Sequence, residues 1–164
     1  MRTFTRSNGL LGEHAMMDRV EGEIQQLVAR ESEAWNNRDA EALVEILHPD
    51  MILPWPPHAQ SHDPATWVMP MGRYNRQRWK HSWEELFRSH DLIHNERETV
   101  RIVVSAEGDA AFAVVDVDTL WRHRANGADF HWKGRACKGY TKVDDRWLLI
   151  FQTGLLEYGG HKNA

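Results

Sequence analysis

Residues 18 to 53 constrain the fold more than any other stretch of this chain. Apolar residues recur at Val20, Ile24, Leu27, Val28 and then Ala34 or Trp35, the spacing of a helix buried along one side. Asp18 is placed to cap its start. The pattern breaks at Asn36-Asn37-Arg38-Asp39 and resumes with Ala42, Leu43, Ile46 and Leu47, for which Asp39 is the natural cap. His48-Pro49-Asp50 ends this second helix, and Met51-Ile52-Leu53 reads as a strand. A long helix, a tight break, a short helix and a strand need a sheet to bury against.

The second half of the chain supplies that sheet. Residues 54 to 75 come first, and Pro54, Pro56, Pro57, Pro64 and Pro70 forbid regular structure over most of them. Trp55, Trp67 and Tyr74 in the same span argue for an ordered loop. Residues 76 to 90 predict a third helix with Trp79, Trp83, Leu86 and Phe87 on one face. Strands follow at 99–104, 110–122, 129–142 and 147–156, separated by Glu107-Gly108-Asp109, Asn126-Gly127 and Asp144-Asp145. The order predicts one α+β domain over residues 17 to 164, behind a loose polar tail at residues 1 to 16.

Composition narrows the function classes. A net charge of −4 provides no basic footprint, so nucleic acid is not expected as a partner. The apolar runs are too short to span a bilayer, and no secretory h-region follows Arg2 and Arg6. The single cysteine, Cys137, excludes an intramolecular disulfide and a Cys-based metal cluster, and it points to a reducing cytoplasm. Eight tryptophans and ten histidines are many for 164 residues, and Trp commonly fills cores and lines pockets.

A two-residue turn at Asn126-Gly127 would pair Arg122 with His131, Trp121 with Trp132, Asp118 with Arg135 and Asp116 with Cys137. A turn at Asp144-Asp145 would set Lys138 opposite Phe151 and Ala136 opposite Thr153. Alternation then sorts two faces. Ala111, Ala113, Val115, Val117, Thr119, Trp121, Trp132, Ala136, Lys138, Tyr140, Trp147, Leu149, Phe151, Thr153 and Leu155 face the helices. Asp116, Asp118, Arg122, His131, Lys133, Arg135 and Gln152 face outward with Phe112, Val114, Ile150 and Leu156, a mixed surface that suits a homodimer interface. A one-residue slip would exchange the faces and bring Asp116 and Asp118 into the pocket.

In this order of elements the chain resembles the nuclear transport factor 2-like superfamily, in particular its SnoaL-like branch. The resemblance is carried by Trp35-Asn36-Asn37-Arg38-Asp39, by His48-Pro49-Asp50-Met51 and by Gly108-Asp109-Ala110-Ala111. It continues in Gly139-Tyr140-Thr141-Lys142 through Arg146-Trp147-Leu148-Leu149-Ile150. It implies a cystatin-like cone, a curved antiparallel sheet wrapped around the long helix and enclosing an apolar pocket, commonly dimeric. The superfamily includes ketosteroid isomerases, polyketide cyclases, dehydratases and epoxide hydrolases, together with non-catalytic transport and association domains. The isomerase carboxylates are not matched. Trp55 stands at the first position, Lys138 at or beside the second, and Phe151 and Thr153 where relatives place histidines.

The candidate site follows from the pocket face. Lys138 among apolar residues would lose its proton readily and act as a base or Schiff-base nucleophile, or would bind a substrate carboxylate; the alternative is that it reaches out to water. Trp55, Trp67, Tyr74, Trp79, Trp121 and Trp132 are candidate walls for a flat ligand, with Thr119 and Thr153 as further polar contacts. Several of these tryptophans have a competing role as core or cross-strand pairs. His58, His62 and Asp63 are metal-ligand types, but the prolines around them deny a helical His-x3-His geometry, and no metal is expected. His58 is better read as a lone acid or base. Asp116 and Asp118 read as outer ion-pair partners and Cys137 as structural. The functional expectation is a small, largely apolar ligand, ring compounds included, with isomerase, cyclase, dehydratase or hydrolase chemistry and no organic cofactor. The alternative is a non-catalytic binding or dimerisation module.

Overall fold

Asp39 caps as its position suggests. In the computed structural model, which describes residues 7–58, 60, 61 and 63–157, its carboxylate accepts the Ala42 N–H at 2.9 Å. This opens helix α2 (Ala40–Glu45). Helix α1 (Ser7–Asn36) ends just before it, where Arg38 takes a left-handed φ of 55° and turns the chain. The helix begins eleven residues before the expected cap, so Asp18 lies inside it. Its early turns escape a periodicity reading because they carry Gly9 and Gly12, yet Met16 packs on the turn at Gly108 and anchors them. Residues 1–6 of the expected tail lie outside the described residues.

Strand β1 (Leu47–Ile52) includes His48-Pro49-Asp50, which the sequence had assigned to a helix end. Pro49 is tolerated because β1 is an edge strand. A short 3-10 turn at Pro64–Thr66 follows in the proline-rich loop, and α3 (Arg76–Ser89) is capped by Asn75. Then come β2 (His90–Val104), β3 (Ala110–His123), β4 (Asp129–Val143) and β5 (Arg146–Gln152). The sheet is open, in the order β1-β5-β4-β3-β2, antiparallel except that β1 runs parallel to β5. Strand β2 starts directly after α3, nine residues before the expected strand, and bulges at Leu92/His94 and Thr99/Arg101 bend it. No helix among the described residues is long and apolar enough to cross a membrane.

The pairing of β3 with β4 differs from the expected one by two residues. The connection is the five-residue loop 124–128, in which Gly127 N–H donates to the His123 carbonyl, so Trp121 pairs with Phe130 and Asp116 with Arg135. An even shift leaves every side chain on its face. Ala111, Ala113, Val115, Val117, Thr119, Trp121, Ala136, Lys138 and Tyr140 are accordingly all buried. Asp116 and Asp118 face outward, Asp116 in a two-pronged pair with Arg135 and Asp118 with Lys133, His94 and His131.

The β4–β5 ladder contains the odd shift. A bulge at Gly139/Tyr140 sets Gly139 opposite Phe151 and Lys138 opposite Gln152. Phe151 therefore joins Phe112 on the outer face, where both would touch a Cβ at Gly139 at 3.4 Å. Gln152 turns inward in its place. Thr153 is drawn out of the expected pocket row to close the backbone of Cys137, whose N–H donates to Thr153 Oγ1 at 2.8 Å.

The inner sheet face meets α1 in two apolar clusters. Val20, Ile24, Leu27 and Val28 pack with Ala113, Val115, Tyr140 and Leu149 in one. Ala34, Trp35, Leu43, Phe87 and Trp121 form the other. Fully burying an aliphatic side chain contributes about 1.5–3 kcal/mol, so the α1 stripe is a main source of stability.

Candidate functional site

Between the two clusters lies a cavity of about 600 Å³. Its walls are apolar, with aliphatic residues such as Leu43, Met51 and Leu149 and with aromatic ones: Trp35 from α1, Trp55 from the proline-rich loop, Trp79 and Trp83 from α3, Phe130 and Trp132 from β4. Trp35 is the hub, with ring contacts to Trp83, Phe87, Trp121 and Trp132 at centroid distances of 5.4 to 6.3 Å. The loop closes on this wall through a two-way backbone bridge between Trp55 and Val68.

The ionisable residues lining the cavity are Glu31, Arg97 and Lys138. Lys138 is 1 % exposed and Glu31 5 %. The Lys138 ammonium donates to Glu31 Oε2. Arg97 Nη2 stands 3.9 Å from Glu31 Oε1, and its Nη1 donates to Asn95 Oδ1 and, at 3.4 Å, to Thr119 Oγ1. Asn95 is itself fixed, since its amide donates to Ser32 and Asn36 on α1 and its oxygen accepts from Thr119. The three ionisable groups are thus held by α1, β2 and β4 together.

Burial sets their electrostatics. It disfavours the charged form of Glu31, but the Lys138 ammonium and then the Arg97 guanidinium outweigh it and hold the carboxyl below its ordinary range. Burial lowers Lys138, against the pull of Glu31. Arg97 is lowered for the same reason. Burial, with the nearby Glu31 charge, pushes Tyr140 well above its ordinary value, and its hydroxyl meets no partner among the described residues. The arrangement is a carboxylate between two cations, able to hold or relay a proton beside an apolar ligand.

Of the residues expected from sequence, the cavity is lined by Lys138, Trp55, Trp79 and Trp132. His58 is elsewhere, its ring within hydrogen-bonding distance of Ser61 Oγ. Trp67 pins the loop by donating to the Ser61 carbonyl at 2.9 Å. Tyr74 packs edge-on to Trp79 and reaches the Val44 carbonyl. Thr119 and Trp121 are buried behind the wall, and Thr153 serves the backbone at Cys137. Asp63 caps the 3-10 turn through the Ala65 N–H, and His62 lies outside the described residues.

Glu31, Trp35, Trp83, Arg97 and Gln152 line the cavity and were not among the expected site residues. Glu31 had a signal: it falls four residues after Leu27 and four before Trp35, on the apolar stripe of α1. A carboxylate there must be buried or the stripe must end.

The sequence matches the SnoaL-like domain over residues 28–150. The chain belongs to the SnoaL-like domain family. A search among curated protein sequences found no match. Among solved structures, this SnoaL-like chain is similar to a ketosteroid isomerase-like protein from Erwinia carotovora atroseptica, with a TM-score of 0.62 at 14 % identity, covering 82 % of this chain and 95 % of that one. It is also similar to a conserved protein from Planctomyces limnophilus, with a TM-score of 0.66 at 14 % identity, over 84 % and 97 % of the two chains. A third is an NTF2-like protein with a cystatin-like fold from Novosphingobium aromaticivorans, with a TM-score of 0.59 at 17 % identity, over 96 % and 95 %. At these identities the likeness establishes the shared cystatin-like, NTF2-like architecture, and chemistry has to be argued from the residues.

Proposed function

We propose that this SnoaL-like protein binds a small, largely apolar ring compound in the cone cavity and acts on it by proton transfer at the Glu31–Lys138 pair. One observation carries the reading: apolar walls, six aromatic residues among them, enclose about 600 Å³ and converge on the buried cluster of Glu31, Arg97 and Lys138. Small-molecule sites combine mostly apolar walls with a few convergent polar groups, in volumes of roughly 300–1,000 Å³. Burial lowers Lys138 toward the range where an amine exchanges protons, and a perturbed titratable group in a cleft is a candidate for acid–base work.

The test is a thermal-shift screen against steroids, terpenoids, polyketide-like aromatics and small aromatic acids. It is followed by exchange of ligand protons in deuterated buffer. A compound at 100 times its dissociation constant stabilises by about 2.7 kcal/mol, a shift of several degrees. Binding with exchange that Lys138→Met abolishes supports the reading. Binding without exchange for any ligand leaves a carrier or sensor, the second reading, which is favoured by the Lys138 ammonium being already engaged by Glu31.

We further infer a homodimer through the outer sheet face, supported by Phe112 at 56 % and Val103 at 48 % exposure beside Phe151. A reducing cytoplasm suits the free Cys137.

A further inference from the structure

We infer that the ligand of this cavity is an organic monoanion, a flat ring system carrying one carboxylate, and that Arg97 receives the carboxylate. The inference rests on the ring-binding reading above and names the chemical class that the cavity selects.

The charges do not balance. Among the described ionisable residues that line the cavity there are two cations and one anion, and their side chains are only 1 to 6 % exposed. Glu31 and Lys138 are in direct contact and neutralise each other. Arg97 is left with a carboxylate oxygen 3.9 Å away, too far for a hydrogen bond, and with neutral acceptors at Nη1. Two cations thus share one carboxylate, the cluster carries one excess positive charge, and the Arg97 Cζ lies 5.9 Å from the Trp35 ring centroid. A buried charge is costly unless paired. A ligand bearing one negative charge would complete the balance; a dianion would overshoot it.

An unused hydrogen-bonding group points the same way. Arg97 Nε is buried without a partner among the described residues, and Arg97 lines the cavity. A guanidinium N–H can only donate, and buried polar groups are as a rule satisfied, so this side chain has room for an acceptor. The Trp35 indole, which also lines the cavity, is turned toward the Glu31 carboxylate. The unpaired Trp121 Nε1 and Tyr140 hydroxyl lie outside the cavity lining, and Thr99 Oγ1 belongs to a groove between α1 and β2 that Arg97 also borders. A guanidinium edge matches a planar carboxylate in two-point geometry, which favours a carboxylate over a single-atom anion. Trp35, Trp55, Trp79, Trp83 and Trp132 suit the flat body of such a molecule.

The experiment uses matched pairs on the wild-type chain: benzoate, 2-naphthoate and biphenyl-4-carboxylate, each against its uncharged amide, by isothermal titration at neutral pH. The expected result is that at least one carboxylate binds roughly 10- to 100-fold more tightly than its amide, the worth of a hydrogen bond to a charged group. Arg97→Lys should keep part of that preference and Arg97→Met should remove it, with amide binding retained. Equal affinity of carboxylates and amides for the wild type overturns the inference and leaves the ring-binding reading intact. Binding of neither kind overturns both. The wild-type comparison decides the matter even if Arg97→Met fails to fold.

Discussion

Glu31 shows how much one residue in a helical stripe can decide. Its carboxylate lies between two cations, so its removal and the removal of Lys138 have unequal effects. Glu31→Gln leaves Lys138 and Arg97 buried without an anion and is expected to cost about 3–5 kcal/mol. Lys138→Met leaves Glu31 facing Arg97 at 3.9 Å, a balanced pair, and should cost distinctly less. Urea unfolding of both variants checks this, and equal costs would mean that Arg97 does not compensate Glu31. On the outer face, Asp118 accepts hydrogen bonds from Lys133, His131 and His94, which hold its carboxyl well below the ordinary value of 3.8. A carboxyl depressed in the folded state stabilises above its unfolded value and loses that contribution on acidification. The stability advantage of wild type over Asp118→Asn should thus be full at neutral pH and shrink as pH falls below about 4. Unfolding midpoints measured across that range would contradict the assignment if the gap stayed constant. Lys138 was legible at this scale because it interrupts an apolar face. Its partners were not, because an ion pair between α1 and β4 leaves no local trace in sequence.

At the scale of elements, the break between α1 and α2 was readable because capping is local chemistry. Asp39→Ala should cost about 1 kcal/mol, seen as a fall of roughly 2–4 °C in Tm. An unchanged Tm would mean that the left-handed turn at Arg38, rather than the cap, holds the break. The start of β2 was not readable. Its first residues, His90 to Glu98, are almost all polar, and alternation of apolar and polar side chains is the signal by which strands are recognised. Asn95 and Arg97 turn inward there as members of the buried polar cluster, so polar residues on the inner face are what hid the strand. The two register differences divide on parity. A longer loop at 124–128 shifted β4 by two residues and moved no side chain to the other face. The bulge at Gly139/Tyr140 shifted β5 by one and exchanged Phe151 for Gln152 at the cavity.

For the molecule as a whole, the sheet has one face sealed by α1 and one face open. The open face is divided, with the apolar residues Val103, Phe112 and Phe151 in one region and the pairs of Asp116 and Asp118 in another. Light scattering at micromolar concentration is expected to give a dimer for the wild type and a monomer for Phe112→Glu, since a charge in a closed apolar contact is costly. A wild-type monomer would remove the proposal. The sequence alone determined the order of elements, the helix break and the alternation that puts Lys138 on the inner face of β4. All of these rest on periodicity and capping, which act within a few residues. Only the tertiary structure decided that Glu31, Arg97 and Lys138 share one cavity, that His58 and Thr153 stand outside it, and that Gln152 lies within. Those outcomes depend on loop length, a single bulge and contacts between residues up to 107 positions apart, where the chain's local pattern carries no information.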